Sequence, residues 1–256
     1  MSDSTVATLQ VAPCELAHEY FLVASHCNAQ KELSLSMLAQ QLIDLSVDHA
    51  NVLDVGYSRL KSIGALWVLS RLTIAIDRMP RIEEHYSIVT WVESFQRMFS
   101  HRNFAIYDGD GNKIGCARSL WVGIDMETRR PSDLTGLLDE SKVASDRVCE
   151  MSAPSKLRDV REPSDIDHYN FQVTDIDFNR HVNSARYIEL ILNQWSLSFH
   201  DKHAIRYFDI NYKHEAHYGQ RAAIRIARND TSAMLQINGE ENCLCLAEVR
   251  FAPREI

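Results

Sequence analysis

The sequence predicts an α+β chain of two tandem units, each a long helix wrapped by a curved antiparallel sheet. Three observations lead there. Two stretches place apolar residues every three or four positions, which gives a helix one buried face. They are Leu35, Leu38, Leu42 and Leu45 in the first half, and Val182, Ala185, Ile188, Leu192, Trp195 and Phe199 in the second. Each stretch is followed by four strand-like runs with turn signals between them. The order then repeats: a shift of 135 positions sets Arg71 on Arg206, Pro80 on Glu215 and Ile88 on Ala223. In each unit the helix stripe and the apolar face of the sheet must cover each other.

Taken in order, residues 1–13 read as a loose arm. Tyr20, Phe21, Leu22 and Val23 read as a first strand. Ser34 is a candidate N-cap for a helix reaching about Asn51, and His49 ends its stripe as a core or helix-end histidine. Runs 67–77 and 86–94 follow as strands, separated by a turn or bulge at Met79, Pro80 and Arg81, since proline cannot donate to a ladder. Runs 102–107 and 113–125 flank Asp108, Gly109, Asp110, Gly111 and Asn112, a strong hairpin signal. That turn superficially resembles a calcium loop, but its glycine is misplaced and the twelfth position is Ser119 rather than Glu, so no metal is expected. From Pro131 the composition turns polar and proline-rich. This marks an inter-domain linker over 134–165 with a short helix or two. The domains are accordingly 14–133 and 166–256.

The second half repeats the order: a strand at 169–173, a helix at 181–200, and strands at 204–214, 221–228, 233–238 and 243–251. Ahead of the second stripe stands the run Asp175, Ile176, Asp177, Phe178, Asn179, Arg180, His181, Val182, Asn183. At a helix start, free N–H groups and the positive dipole end favour anions and keep an imidazole from gaining a proton. An acid, an amide and a histidine there suggest acid–base chemistry on a polarised carbonyl. The same residue types also suit an N-cap.

Composition narrows the classes. With 256 residues, the chain can bury one large core or two modest ones. A formal net charge of -8 argues against non-specific nucleic-acid binding as the main role. No apolar run is long enough to span a bilayer, and residues 1–11 are too polar for a signal peptide, so a cytoplasmic location without membrane insertion is expected. The six cysteines, Cys14, Cys27, Cys116, Cys149, Cys243 and Cys245, form no C-x-x-C pair and suit no zinc site. They are expected to be free thiols, with Cys243 and Cys245 facing the same side of one strand.

Three segments carry a family resemblance: 67–71 with its strand, 119–125 followed by Thr128, Arg129, Arg130 and Pro131, and Asp177 to Asn183 with Tyr187 and Glu189. The chain resembles the acyl-acyl-carrier-protein thioesterases of plants and bacteria, and its two helix-and-sheet units resemble a double hotdog fold. The resemblance implies hydrolysis of the thioester between a fatty acyl chain and the phosphopantetheine arm of acyl carrier protein. By position it implies Asp177, Asn179, His181 and Glu215 as functional residues. Where plant members have a cysteine directly after that glutamate, this chain has Ala216, so no covalent cysteine mechanism can run from there.

The residues themselves favour direct attack by water, for there is no G-x-S-x-G elbow. Glu215 is the first choice for general base. His181 and Asn179 would orient the water or bind the substrate oxygen, a backbone N–H would complete an oxyanion hole, and Asp177 would hold Asn179 or His181 in position. The division of labour between Glu215 and Asp177 stays open. Trp67, Leu42, Leu69, Leu72 and Ile74 would enclose the acyl chain in the first half, although such residues are also ordinary core. Asn183, Arg221 and Arg225 are further substrate-binding candidates. Arg206, Lys213, Arg221, Arg225 and Arg228 form a basic set for an acidic carrier, with Arg221 and Arg225 on one strand face and Arg228 opposite. No cofactor is expected, and the assembly is a monomer or homodimer. An acyl-CoA thioesterase of the same fold and a non-catalytic acyl-binding or acyl-sensing protein are the alternatives.

Overall fold

The computed structural model describes residues 7–9, 12, 14–144, 146–147 and 149–254, with side chains from residue 12 onward. The chain divides into two compact units between Pro154 and Ser155. Both are α+β with an antiparallel sheet.

The first unit contains β1 (Ala7–Leu9), β2 (Glu15–Phe21), α1 (Leu35–Val52), α2 (Tyr57–Lys61), β3 (Ala65–Ile76), β4 (His85–Gln96), β5 (Phe99–Asp108) and β6 (Lys113–Asp125). Its strands lie in the order β1-β2-β4-β5-β6-β3, each pair antiparallel. Ser34 caps α1 by accepting from the Met37 N–H at 3.3 Å. The stripe Leu35, Leu38, Leu42 and Leu45 is buried, as is His49. Among them Gln41 donates to the Tyr86 hydroxyl at 2.7 Å, so its buried amide is satisfied. Past the helix end, Ala50, Leu53, Val55, Leu60 and Ala65 form a core cluster with Val92, Leu134 and Leu138. In the β5–β6 hairpin the Asp108 carboxylate accepts from the Asp110 and Asn112 N–H groups at 3.1 and 2.8 Å, and Gly111 supplies φ +83°.

The first unit departs from expectation at its start. Ala7–Leu9 of the expected loose arm is a strand paired with Ala17, His18 and Glu19 of β2; apart from Ala12, the rest of the arm lies outside the described residues. The next strand is Glu15–Phe21 rather than a run centred on Tyr20 to Val23, because Val23 already opens a 3-10 turn at Ala24–His26. The five-residue α2 is too short for any period to reveal.

The second unit contains β7 (Asp165–Asn170), α3 (Ser184–Leu192), α4 (Leu197–Lys202), β8 (His203–Tyr212), β9 (Arg221–Arg228), β10 (Ser232–Asn238) and β11 (Cys243–Pro253). The order is β8-β11-β10-β9-β7, all antiparallel. Phe208, Ile210, Ile224, Ile226, Leu235, Ile237 and Val249 from the sheet, with Ile188 and Ile191 from α3, are buried.

Two expectations fail here. The strand expected at 169–173 lies earlier, and Val173–Asp175 is a 3-10 turn. The long helix expected over 181–200 is two short ones. Gln194 and Trp195 form tight bonds to the carbonyls three residues back, and Ser196 then caps α4 by accepting from the Phe199 N–H at 3.3 Å. The apolar period continues across this break and hides it. The second unit is therefore organised around a nine-residue helix, where the first has eighteen residues.

The expected linker is strapped down on both sides of the unit boundary. Arg118 Nη1 donates to the Met151 carbonyl at 2.7 Å, and Arg71 Nη1 to that of Pro154 at 3.1 Å. Beyond the boundary the Leu157 N–H donates to Asn211 Oδ1 and the Val160 N–H to Gln236 Oε1. Its 3-10 turn is Glu140–Lys142. Among the described residues no helix is long and apolar enough to cross a membrane.

Candidate active site

The polar run is a loop ahead of α3, not the helix start. Asn183 is the N-cap, its Oδ1 accepting from the Ala185 N–H at 2.8 Å. Asp177, Asn179 and His181 precede it, closed into a loop by the Ile176–Val182 bridge. Asp177 organises that loop. Its Oδ1 accepts from the N–H groups of Asn179 (2.8 Å) and His181 (3.3 Å), and its own N–H donates to the His181 carbonyl at 2.8 Å. Arg180 takes φ 67° to complete the reversal. Asp177 thus holds the backbone of Asn179 and His181 rather than their side chains.

A second loop, between β8 and β9, meets the first. The Val182 N–H donates to the Ala216 carbonyl at 2.9 Å. That bond brings the neighbouring side chains together: His181 Nε2 lies 3.3 Å from Glu215 Oε2, with side-chain exposures of 26% and 41%. Both groups are open enough for water to reach and near enough to share a proton. The His217 ring packs edge-on against His181 at a centroid distance of 5.0 Å. Sequence reasoning missed His217, though it stands two residues after Glu215. Ala216 itself is fully buried. The Asn179 carboxamide is exposed at the loop tip, without a hydrogen-bond partner among the described residues.

The first unit contains the same loop with different side chains. Asn28 Oδ1 accepts from the N–H groups of Gln30 and Glu32, each at 3.0 Å. Lys31 has φ 61°, Cys27 bridges Leu33, and Ser34 caps the helix. The Leu33 N–H donates to the Pro80 carbonyl at 2.8 Å, as Val182 does to Ala216. Asn28 therefore matches Asp177, Glu32 matches His181, and Pro80 matches Ala216. This corrects the 135-position shift, which set Pro80 on Glu215: Met79 is the counterpart of Glu215.

The remaining candidates scatter. Leu42, Leu69, Leu72 and Ile74 are buried core. Trp67 lines an apolar pocket of the first unit with Val55, Val92, Phe95 and Leu138, an empty volume of ≈ 430 Å³ counting its open mouth. Arg102 also lines it, buried, with its Nη1 2.6 Å from His49 Nδ1 and donating to Thr90 Oγ1 at 3.2 Å. Burial and the adjoining Arg102 charge bring the His49 pKa down to about 3, so His49 sits in the core as a neutral acceptor. The helix dipole expected to favour its cation is outweighed.

Arg221 and Arg225 share the outward face of β9, alternating with buried Ala222, Ile224 and Ile226. Arg225 Nη2 donates to the Val160 carbonyl at 3.2 Å, and Arg228 Nη2 donates to that of Gln194 at 2.8 Å while stacking over Trp195. Two members of the expected basic set are thus engaged within the fold. Cys243 is half-buried and Cys245 buried; all six cysteines are free. Among the described residues no three His, Cys, Asp or Glu side chains are grouped to hold a metal.

Comparison with known proteins agrees in both units. Residues 15–139 match the acyl-ACP thioesterase N-terminal domain, and residues 159–251 the C-terminal domain. An oleoyl-acyl carrier protein thioesterase of Arabidopsis thaliana is 26% identical over 217 residues, which are 77% of this chain and 59% of that protein. A palmitoyl-acyl carrier protein thioesterase of Gossypium hirsutum is 23% identical, covering 84% of this chain and 55% of its own length. The chain thus spans less than two thirds of these chloroplastic relatives. An acyl-ACP thioesterase structure from Bacteroides thetaiotaomicron superposes with a TM-score of 0.88 at 29% identity, over 94% of this chain and all of the other. A 12:0-ACP thioesterase from Umbellularia californica shares the fold, with a TM-score of 0.80 at 17% identity over 96% of this chain and 100% of that one. With both domain models matched in sequence order, the chain belongs to the acyl-ACP thioesterase family.

Proposed function

We propose that the protein hydrolyses the thioester of fatty acyl-acyl carrier protein to free fatty acid and holo-carrier, the step that ends fatty acid synthesis. The observation that carries this reading is the 3.3 Å approach of His181 Nε2 to Glu215 Oε2, beside a residue that offers no nucleophile. Glu215 takes the proton from a water, and that water attacks the thioester carbonyl. His181 orients the water and shares the proton. The exposed Asn179 carboxamide and a loop N–H stabilise the oxyanion, and the carrier's thiolate then leaves. Asp177 is a positioning residue. The matching Asn28 loop supports this, since it keeps the same bonds with an uncharged amide where no acid–base pair exists. An amide serving in the acid's place there favours Glu215 over Asp177 as the general base.

In this reading the chain is a tandem hotdog protein. The C-terminal domain, 166–256, carries the chemistry. The N-terminal domain, 14–133, receives the acyl chain, with Trp67 lining its pocket. The exposed Arg221 serves the acidic carrier, and no cofactor takes part.

The test is thiol release from purified protein and carrier-linked thioesters of graded chain length. Faster release from CoA thioesters of the same chains would shift the substrate to acyl-CoA. Thioesters that stay bound and intact at every length would replace the hydrolase with an acyl-binding protein.

A further inference from the structure

Away from the proposed site, two cysteines distant in sequence meet on the first unit. Cys116 lies in β6, opposite Ala75 and Ala105. Ala117 is fully buried, so strand alternation turns Cys116 and Arg118 to the other side. The segment 149–154 is anchored on that side. Lys113 Nζ meets Glu150 Oε1 at 3.0 Å, Arg118 Nη1 donates to the Met151 carbonyl at 2.7 Å, and Arg71 Nη1 to that of Pro154 at 3.1 Å. Lys113 and Arg118 bracket Cys116 along the strand, and their partners directly follow Cys149. The two thiols thereby come into hydrogen-bond contact, both free and half-buried. The bond from Cys116 lowers the Cys149 thiol against the opposing effect of burial, with help from the Met151 N–H and the Arg118 and Lys113 charges. The same contact, with burial, pushes Cys116 up.

We propose that Cys149 and Cys116 form a reversible disulfide, with Cys149 as the attacking thiolate, Cys116 as the resolving thiol and a hydroperoxide as the oxidant. The Cys149 sulfur attacks a peroxide oxygen. An S–O bond forms, the O–O bond breaks, and the departing hydroxide takes a proton to become water. The Cys116 sulfur then attacks the sulfenic acid. The S–S bond forms, the S–O bond breaks, and hydroxide leaves with the Cys116 proton as a second water. The two thiols lose two electrons together and hydrogen peroxide gains them. A dithiol reverses the bond by exchange. The disulfide would fasten the approach to the unit boundary covalently to β6, beside the Lys113, Arg118 and Arg71 contacts that hold it in the reduced protein.

The test treats reduced, full-length protein with hydrogen peroxide, blocks remaining thiols with N-ethylmaleimide and maps the products by mass spectrometry. The free thiols should fall from six to four, with one new cross-link joining Cys116 to Cys149. Cys116→Ala should leave a sulfenic acid at Cys149 that dimedone traps, and Cys149→Ala should give neither product. Six surviving thiols in the wild type, a cross-link between any other pair, or first oxidation at another cysteine overturns the proposal. If either alanine variant fails to fold, the wild-type map decides alone.

Discussion

The Val182 N–H donates to the Ala216 carbonyl at 2.9 Å, and that bond joins two loops whose adjacent residues are His181 and Glu215. The approach of the two side chains is therefore set by main-chain geometry, each residue directly preceding one end of a backbone hydrogen bond. Neither side chain has to be threaded through a core to reach the other.

Glu215→Ala and His181→Ala should each lower thiol release by about 10²–10⁴-fold, the usual worth of positioned acid–base groups. Both side chains are partly exposed, so circular dichroism and the melting temperature should stay near wild type. Full activity in both folded variants would remove the mechanism.

Asp177→Asn separates positioning from proton transfer. The asparagine keeps an Oδ1 acceptor for the Asn179 and His181 N–H groups, as Asn28 does in the first unit. It should retain most of the activity, whereas Asp177→Ala should lose about 10²-fold through misplacement of His181. Equal, severe losses in both variants would make the Asp177 carboxylate the base instead.

Asn183→Ala should cost about 1 kcal/mol by removing the cap of α3, with Asn183→Asp restoring it. Urea midpoints measure this. An unchanged midpoint with a raised KM would return Asn183 to substrate binding.

His49 makes stability depend on pH with a defined sign. Its folded-state pKa is about 3, against an ordinary value of 6.5. Between those values the unfolded chain binds a proton that the folded chain does not, so stability falls as pH drops below about 6.5 and is unaffected by this group above it. The slope approaches about 1.4 kcal/mol per pH unit. His49→Gln, which keeps an acceptor for Arg102, should flatten the fall in urea midpoint between pH 6.5 and 5. Parallel curves for the two proteins would contradict the assignment.

Trp67→Ala enlarges the pocket of the first unit. If that pocket receives the acyl chain, the preferred substrate should lengthen, each added methylene gaining up to about 0.8 kcal/mol. An acyl-length series that keeps its maximum would place the chain elsewhere.

Most elements were legible because their signals are local. Ser34 with its leucine stripe, and the Asp108–Asn112 turn, are settled by neighbours within a few residues. The break in the second helix was not legible, since Leu192, Trp195 and Phe199 keep their period across it while Ser196 restarts the chain. The site was half legible. Asp177, His181 and Glu215 stand out as residue types in sequence, but the matching Asn28 loop shares only its bonding, with Glu32 and Met79 at the positions of His181 and Glu215. The pocket was the least legible, because Leu42 and Ile74 look like lining until burial assigns them to the interior.

The three-residue strand Ala7–Leu9 pairs with Ala17, His18 and Glu19 on the outer side of β2, the strand that would otherwise end the first sheet. An uncovered seven-residue rim offers unpaired N–H and C=O groups to any passing copy, with Phe21 half-exposed at its tip. Ala7–Leu9 satisfies that rim along Ala17, His18 and Glu19, so the border that β2 leaves open to another strand is shortened from the middle.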